Sequence, residues 1–251
     1  MAASFTATTH HMRNANVPAT GDAGSIFIRI RPNWGHTDAT TRPFWVYSET
    51  FQREHPSFQK FGTTVYIGHY TGVEQRLTVT ADSSMFTNGA WTNHLYCWDD
   101  TNNTREYFAD NTSKVSSTAA WSRGTTAAGL TIGNYNSTIP QENCNAALAE
   151  FGYWDRVLSA SERSQLQACG TPLCIPRGLV DYYPLFARNA AESGWRNGYN
   201  LTIASGVAAA DHPRVVYDMP MTIPAASAAA AATPWLYARR RSQIIGAGGV
   251  H

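Results

Sequence analysis

The acidic residues that could carry out hydrolysis are few and widely spaced. Retaining glycoside hydrolysis needs two carboxyl groups about 5 Å apart, and same-face spacing on one strand supplies that distance. The chain has eight glutamates, and none belongs to a Glu-x-Asp-x-x-Glu motif of this kind. Glu150 and Asp155 are five residues apart and so fall on opposite faces of an extended strand. Gly-x-Ser-x-Gly, Walker-type and His-Glu-x-x-His motifs are also absent from the sequence. We therefore expect a protein that is not an enzyme.

Oxygen-bearing side chains cluster at Asp99, Asp100, Asn102 and Asn103. Carboxylate and amide oxygens are ligands that Ca²⁺ prefers, so Asp99, Asp100 and Asn102 form a candidate calcium site. The same residue types favour a hairpin turn, because Asp and Asn side chains bond to their own backbone. We favour the turn, and apart from calcium the sequence indicates no cofactor.

Tryptophan rings on a protein surface can act as stacking platforms for sugars. The chain has 8 tryptophans, and most fall at alternating strand positions, which favours packing in the core. Trp34 and Trp121 lie in loop-like sequence instead. These two residues are therefore the predicted carbohydrate-binding residues.

The composition changes at Pro220. Residues 225–232 are all alanine except Ser227, and an aromatic and arginine-rich segment follows. This pattern predicts a linker that leads to an assembly anchor. Arginine is enriched at protein interfaces, which favours a subunit contact over a phosphate contact. The predicted anchor residues are Trp235, Tyr237, Arg239, Arg240 and Arg241.

Overall composition limits the kinds of protein that the chain can be. Of its 251 residues 43% are hydrophobic and only 15% are charged, which excludes a disordered chain or a coiled coil. A net charge of +1 argues against broad binding to nucleic acid or to a membrane. The first residues lack the basic and apolar regions of a signal peptide. Cys169 and Cys174 are close enough in sequence to form a disulfide, but reduced, buried thiols are favoured.

Short runs of alternating or apolar residues, separated by turn residues, predict an all-β sandwich or barrel. One helix stands out, in which Ser159 is the N-cap, Glu162 completes a capping box and Gly170 ends the helix. Residues 1–24 are small and polar and predict an N-terminal arm. The predicted organisation is an arm at 1–24, a β domain at 25–219 and an Ala-rich tail at 220–251. The predicted strands are 25–31, 43–47, 63–68, 74–80, 90–98, 105–109, 129–133, 146–154, 178–185 and 200–203.

Three segments, in order, resemble the laminin-G-like, concanavalin-A-like jelly-roll superfamily. The run Gly89-Ala-Trp91-Thr-Asn-His94 resembles the family's Gly-x-Trp strand, and residues 107–111 resemble its Tyr-Val-Asp-Gly hairpin. Residues 130–133 and 149–162 are similar to its Leu-x-Ile-Gly and Tyr-x-Arg-x-Leu-Ser-x-x-Glu signature. This resemblance covers residues 25–167. It implies a jelly-roll sandwich. Together with the capping box and the Ala-rich tail, the predicted fold is an all-β, concanavalin-A-like jelly-roll sandwich with one short capped helix and an extended C-terminal tail.

Residues 178–215 resemble a C-terminal extension found on such domains in bacteriophage sequences. The resemblance implies a non-enzymatic structural protein of a phage particle, a capsid decoration or head-surface protein that is assembled in the host cytoplasm. We then expect other virion proteins as partners, in a homo-oligomeric or capsid-bound state, with no membrane or nucleic-acid partner. The alternative is a carbohydrate-binding, lectin-like module that attaches to cell-surface glycans.

Overall fold

The protein was analysed as a computed structural model, which describes residues 1–47, 56–69, 76–121, 129–134, 143–187, 191–196, 198–204 and 206–215. The predicted tail and its anchor residues (Trp235, Tyr237, Arg239, Arg240 and Arg241) lie outside the described residues. The elements are β1 Ala2–Phe5, β2 Met12–Asn14, β3 Ala23–Pro32, β4 Arg42–Val46, β5 Ser57–Phe61, β6 Thr64–Gly68, β7 Leu77–Thr80, β8 Thr92–Asp99, β9 Thr104–Ala109, β10 Thr112–Ser117, β11 Leu130–Ile132, β12 Ala146–Trp154, α1 Ala160–Cys169, a short 3₁₀ helix Pro172–Cys174, β13 Leu179–Tyr183, β14 Ala191–Glu192, β15 Leu201–Ile203 and β16 Ala208–Ala210.

The strands form two antiparallel sheets. The first sheet has the order β10-β9-β8-β3-β12-β1-β16, and β13 also pairs with β12. The second sheet has the order β14-β15-β2-β11-β4-β5-β6-β7. The prediction of an all-β sandwich with one short helix is therefore confirmed.

The main core lies between the two sheets. In β3 the inward residues Ile26, Ile28 and Ile30 alternate, as expected for a strand with one face against a core. Aromatic rings fill much of the space, and His94 stacks on Phe86 at a centroid distance of 5.1 Å. Burial lowers the pKa of His94 to about 3, so this side chain packs there in its neutral form.

A second, smaller core lies on the outer face of the first sheet. There α1 and the segment that follows it cover Phe27, Phe108 and Trp154. The capping box is present as predicted: Ser159 Oγ accepts from the Glu162 amide at 3.3 Å, and Glu162 Oε2 accepts from the Ser159 amide at 2.9 Å. Gly170 ends the helix in the left-handed conformation, with φ 69°.

Two predictions are corrected by the fold. Cys169 and Cys174, expected as reduced thiols, are joined by a disulfide, because the helix end and the 3₁₀ helix bring the two residues together. Residues 1–24 are not an arm. They contain β1, which pairs with both β12 and β16, and β2, which pairs with β11 and β15. Small residues suit β1, because Ala2 and Ala3 are fully buried beside the neighbouring strands.

Within the described residues, no helix has the length and apolar character needed to cross a bilayer.

The polar segment around β14 and β15 extends the second sheet at one edge. Strand β13, which precedes this segment in sequence, pairs with β12 of the first sheet, where Tyr182 lies opposite Gly152. The loop between β14 and β15 leaves the second sheet and contacts Tyr182 on β13 of the first sheet.

Candidate functional site

Trp34, predicted as an exposed stacking platform, is buried. Only 6% of the residue is exposed, and its indole Nε1 donates to the Cys144 carbonyl at 2.8 Å. Its ring packs against Phe86 at 5.1 Å, and the Lys60 ammonium lies 5.0 Å from its ring centroid. The segment after β3 folds inward, so its loop-like sequence does not indicate exposure. The prediction for Trp34 is therefore wrong.

Trp121, the second predicted platform, is half-buried and already in contact with other rings and charges. The Arg105 guanidinium carbon lies 5.0 Å from the Trp121 ring centroid, and the His69 ring lies 4.7 Å from it. Arg105 is itself buried and donates to Ser117 Oγ at 3.3 Å. Trp121 thus belongs to an intramolecular stack and offers little open ring surface to a ligand.

The predicted calcium residues form the turn between β8 and β9. Asp99 accepts from the backbone and side-chain nitrogens of Asn102 at 3.1 and 2.7 Å. Asn103 has φ 52°, which asparagine tolerates better than most residues, and its amide donates to the Asp100 carbonyl at 3.3 Å. The hairpin interpretation is therefore confirmed. In the part of the chain that the structure describes, no three His, Cys, Asp or Glu side chains are grouped to hold a metal ion.

Trp195 is the exposed tryptophan of the described residues, with 56% of its surface accessible. It lies in the loop between β14 and β15. Gly194 precedes it, where a Cβ atom would lie 2.4 Å from the Tyr199 carbonyl oxygen, so this turn requires glycine. The Trp195 amide donates to the Tyr182 carbonyl at 3.0 Å, and the two rings meet edge-on at 5.7 Å. The indole is thus exposed and also held in place.

Arg196, the next residue, is exposed but anchored to the neighbouring segment. Its Nε donates to the Leu179 carbonyl at 3.2 Å, and its Nη2 donates to the Pro176 carbonyl at 3.3 Å. These bonds use one edge of the guanidinium. Because arginine carries five N–H donors, the edge formed by Nη1 and Nη2 keeps donors for a ligand. Trp195 and Arg196 together are called the Trp195 platform below.

Arg156 is a second arginine attached to the same segment. Its Nη2 donates to the Arg177 carbonyl at 2.9 Å, one residue beyond the carbonyl that Arg196 binds. Unlike Arg196, it forms a two-bond ion pair with Glu162, at 2.6 and 2.8 Å. The Arg156 guanidinium lowers the pKa of Glu162 to about 2. The positive charge of Arg156 is therefore neutralised within the protein.

A buried polar network supports the platform from below. The Tyr182 hydroxyl donates to Glu150 Oε2 at 2.9 Å, and His212 Nε2 lies 3.0 Å from Glu150 Oε1, within ion-pair distance. Glu150 is only 2% exposed and has φ 59°, at a bulge where β12 carries one extra residue against β3. Arg29 donates to the carbonyls of Gly170 and Arg214 at 3.4 and 2.9 Å. The network fixes Tyr182, on which Trp195 rests.

Two comparisons with known proteins find no match. No protein-family model matches the chain, and no curated protein matches it.

Solved structures do match. One is a putative carbohydrate binding protein from Bacteroides ovatus, with a TM-score of 0.61, 11% identity, and coverage of 86% of this chain and 62% of that chain. Another is a heptameric SAP-like pentraxin from Limulus polyphemus, with a TM-score of 0.54, 13% identity, and coverage of 81% and 94%. This chain thus spans less than two thirds of the Bacteroides protein.

At these identities the likeness shows the fold alone, a jelly-roll sandwich. The jelly-roll part of the resemblance noted in the sequence is therefore confirmed, and neither protein is a bacteriophage protein.

The sequence contained one local signal for Trp195. The residue lies between Gly194 and Gly198 in a polar segment, which is more typical of a surface loop than of a core strand. The role of Arg196 could not be predicted, because its partners, Leu179 and Pro176, are distant in sequence and meet it only in the folded chain.

Proposed function

We propose that this protein is a carbohydrate-binding, lectin-like module and that the Trp195 platform contacts the sugar. The observation that carries the proposal is an exposed indole that the Tyr182 ring and backbone already hold in place. A rigid aromatic surface gives contact area at little cost in conformational entropy. Arg196 adds hydrogen-bond donors beside the ring. The similar fold of the putative carbohydrate binding protein from Bacteroides ovatus supports the same proposal.

A glycan array followed by isothermal titration calorimetry on the full chain tests this proposal. For a flat, single-ring platform we expect dissociation constants from about 1 mM to high micromolar values, or about 4 to 6 kcal/mol. Trp195→Ala should weaken binding at least about tenfold, because the ring contributes most of the contact. Phe61→Ala is the matched control. Phe61 is 58% exposed and lies on β5 of the second sheet, so its loss should leave affinity within about twofold.

The result can fail in two distinct ways. If no glycan binds, the carbohydrate-binding function is wrong. If a glycan binds but Phe61→Ala weakens binding while Trp195→Ala does not, the platform is wrongly placed. We also propose that the protein does not cleave the glycans that it binds. Release of reducing ends during incubation with a bound polysaccharide would contradict that part.

The function in a phage particle stays a prediction. It depends on the tail and its anchor residues, which lie outside the described residues. It also depends on the resemblance to bacteriophage sequences, which these two matched structures do not support. Its location in the virion and its virion partners stay predictions with it. A glycan-binding module is compatible with such a particle, because both a lectin-like module and a phage-particle protein can attach to a cell surface.

A further inference from the structure

We propose that the Trp195 platform selects acidic glycans, and that Arg196 binds a sugar carboxylate while Trp195 stacks on the sugar ring. The inference rests on the proposed function and specifies its ligand. It follows from a difference between two arginines bound to the same backbone segment: Arg156 is paired with a carboxylate, and Arg196 is bound to neutral carbonyls.

The positive charge of Arg196 has no counter-ion in the described part of the protein. Among the described residues, its side chain donates hydrogen bonds to two neutral carbonyls, those of Leu179 and Pro176. Arg177, also exposed, has no carboxylate partner among the described residues either. Arg156, by contrast, is fully paired with Glu162. One of the arginines that bind the 176–177 backbone is thus neutralised, and the one beside the exposed indole is not.

The orientation of the Arg196 guanidinium suits a carboxylate. Two carbonyls bind its Nε and one Nη2 hydrogen, which fixes the plane of the group. The remaining Nη1 and Nη2 hydrogens form the parallel pair that binds a carboxylate through two hydrogen bonds. Because these anchors already restrict the side chain, a ligand loses less entropy on binding than it would with a free arginine.

A second tryptophan–arginine pair supplies the control. Arg31 lies on β3, and Trp91 lies directly before β8. The Arg31 guanidinium carbon is 5.3 Å from the Trp91 ring centroid. Arg31 lies opposite Ala147 of β12, whereas Tyr182 lies opposite Gly152. Five residues along a strand correspond to about 17 Å, so the two pairs are in different regions of the sheet. In this pair the guanidinium lies over the ring and covers it.

The experiment measures binding of the full chain to alginate, polygalacturonate and hyaluronan, each beside its carboxyl-reduced form, and to dextran sulfate. At about 50 mM NaCl, at least one carboxylated polymer should bind about tenfold more tightly than its reduced form. Higher salt should reduce that preference. Arg196→Gln should remove most of it, and Arg31→Gln should not change it.

Each outcome separates this inference from the proposed function. Equal or tighter binding of the carboxyl-reduced polymers overturns the inference and leaves the function standing. Binding to dextran sulfate alone overturns the assignment to a carboxylate. An unchanged preference in Arg196→Gln, with Trp195→Ala still defective, overturns the role of Arg196. No binding to any glycan in the array or in this set overturns the function, and the inference falls with it.

Discussion

Trp121 and Trp195 each have an arginine nearby, and the two rings differ in their access to a ligand. At Trp121 the Arg105 guanidinium lies over the ring, and His69 adds a second contact. At Trp195 the Arg196 guanidinium is turned to backbone carbonyls and does not cover the ring. The same pair of residue types therefore packs inside the protein in one region and, under the proposed function, binds a ligand in the other. The acceptors around the arginine decide which role results.

The largest expected difference between the two regions is in stability. Trp121→Ala removes a half-buried ring from its stack and should lower the free energy of unfolding by about 2 kcal/mol. Trp195→Ala should change it by less than about 0.5 kcal/mol, because most of that ring is already in water. Urea unfolding of both variants measures the difference. Equal losses would show that Trp195 is a structural residue and not an exposed platform.

The next prediction concerns the hydroxyl below the platform. Tyr182→Phe leaves the ring against Trp195 but removes a donor from the buried Glu150 carboxylate, which should cost about 1 to 3 kcal/mol. Glycan affinity should stay within about twofold, because the platform keeps its support. Tyr183→Phe is the matched control, since the Tyr183 hydroxyl is buried without a partner among the described residues. Its loss should cost almost nothing, and a larger cost in Tyr183→Phe than in Tyr182→Phe would contradict this account.

The smallest expected effect concerns the ion pair of Arg156 with Glu162, a pairing that Arg196 lacks among the described residues. The pKa of Glu162 is lowered to about 2 from a usual value of 4.5, mainly by Arg156. The stability that this carboxylate contributes is therefore present above pH 4.5 and is lost as the pH falls towards 2. Because the pair is partly accessible to solvent, Glu162→Gln should cost only about 1 kcal/mol at pH 7.

Thermal unfolding between pH 7 and pH 2 checks this expectation. The difference between the natural protein and Glu162→Gln should shrink as the pH approaches 2. Ser159→Ala, which removes the other half of the capping box, should also cost about 1 kcal/mol, but its cost should persist at low pH. A Glu162→Gln cost that does not depend on pH would show that the charge of Glu162 is not neutralised by Arg156.

Local signals account for what could be predicted from the sequence. The capping box of α1 needs only Ser159 and Glu162, three residues apart, and alternation located β3, while turn residues bounded the other long strands. What failed depends on distant contacts. The burial of Trp34 requires Phe86 and Cys144, and the burial of β1 requires β12 and β16. The disulfide depends on how the 3₁₀ helix returns to the end of α1.

At the candidate site, too, local features could be predicted from the sequence and features that depend on distant contacts could not. The exposure of Trp195 follows from a glycine-flanked loop, which a sequence can indicate. The free edge of Arg196 follows from carbonyls at 176 and 179, which no local pattern indicates. The positive φ of Glu150 at the bulge of β12 is equally invisible in the sequence, because most non-glycine residues avoid that conformation.

The position of β1 has a consequence for synthesis on the ribosome. Its hydrogen-bonding partners are Ala146–Ala147–Leu148 on one side and Ala208–Ala209–Ala210 on the other. Synthesis runs from the N-terminus to the C-terminus, so β1 is made before either partner and cannot pair fully until residues 208–210 have been translated. Contacts that join such distant residues slow folding. Both edges of β1 therefore stay without their partners while the intervening residues of the sandwich are made, and the contacts that complete this part of the first sheet form only after β16 has emerged.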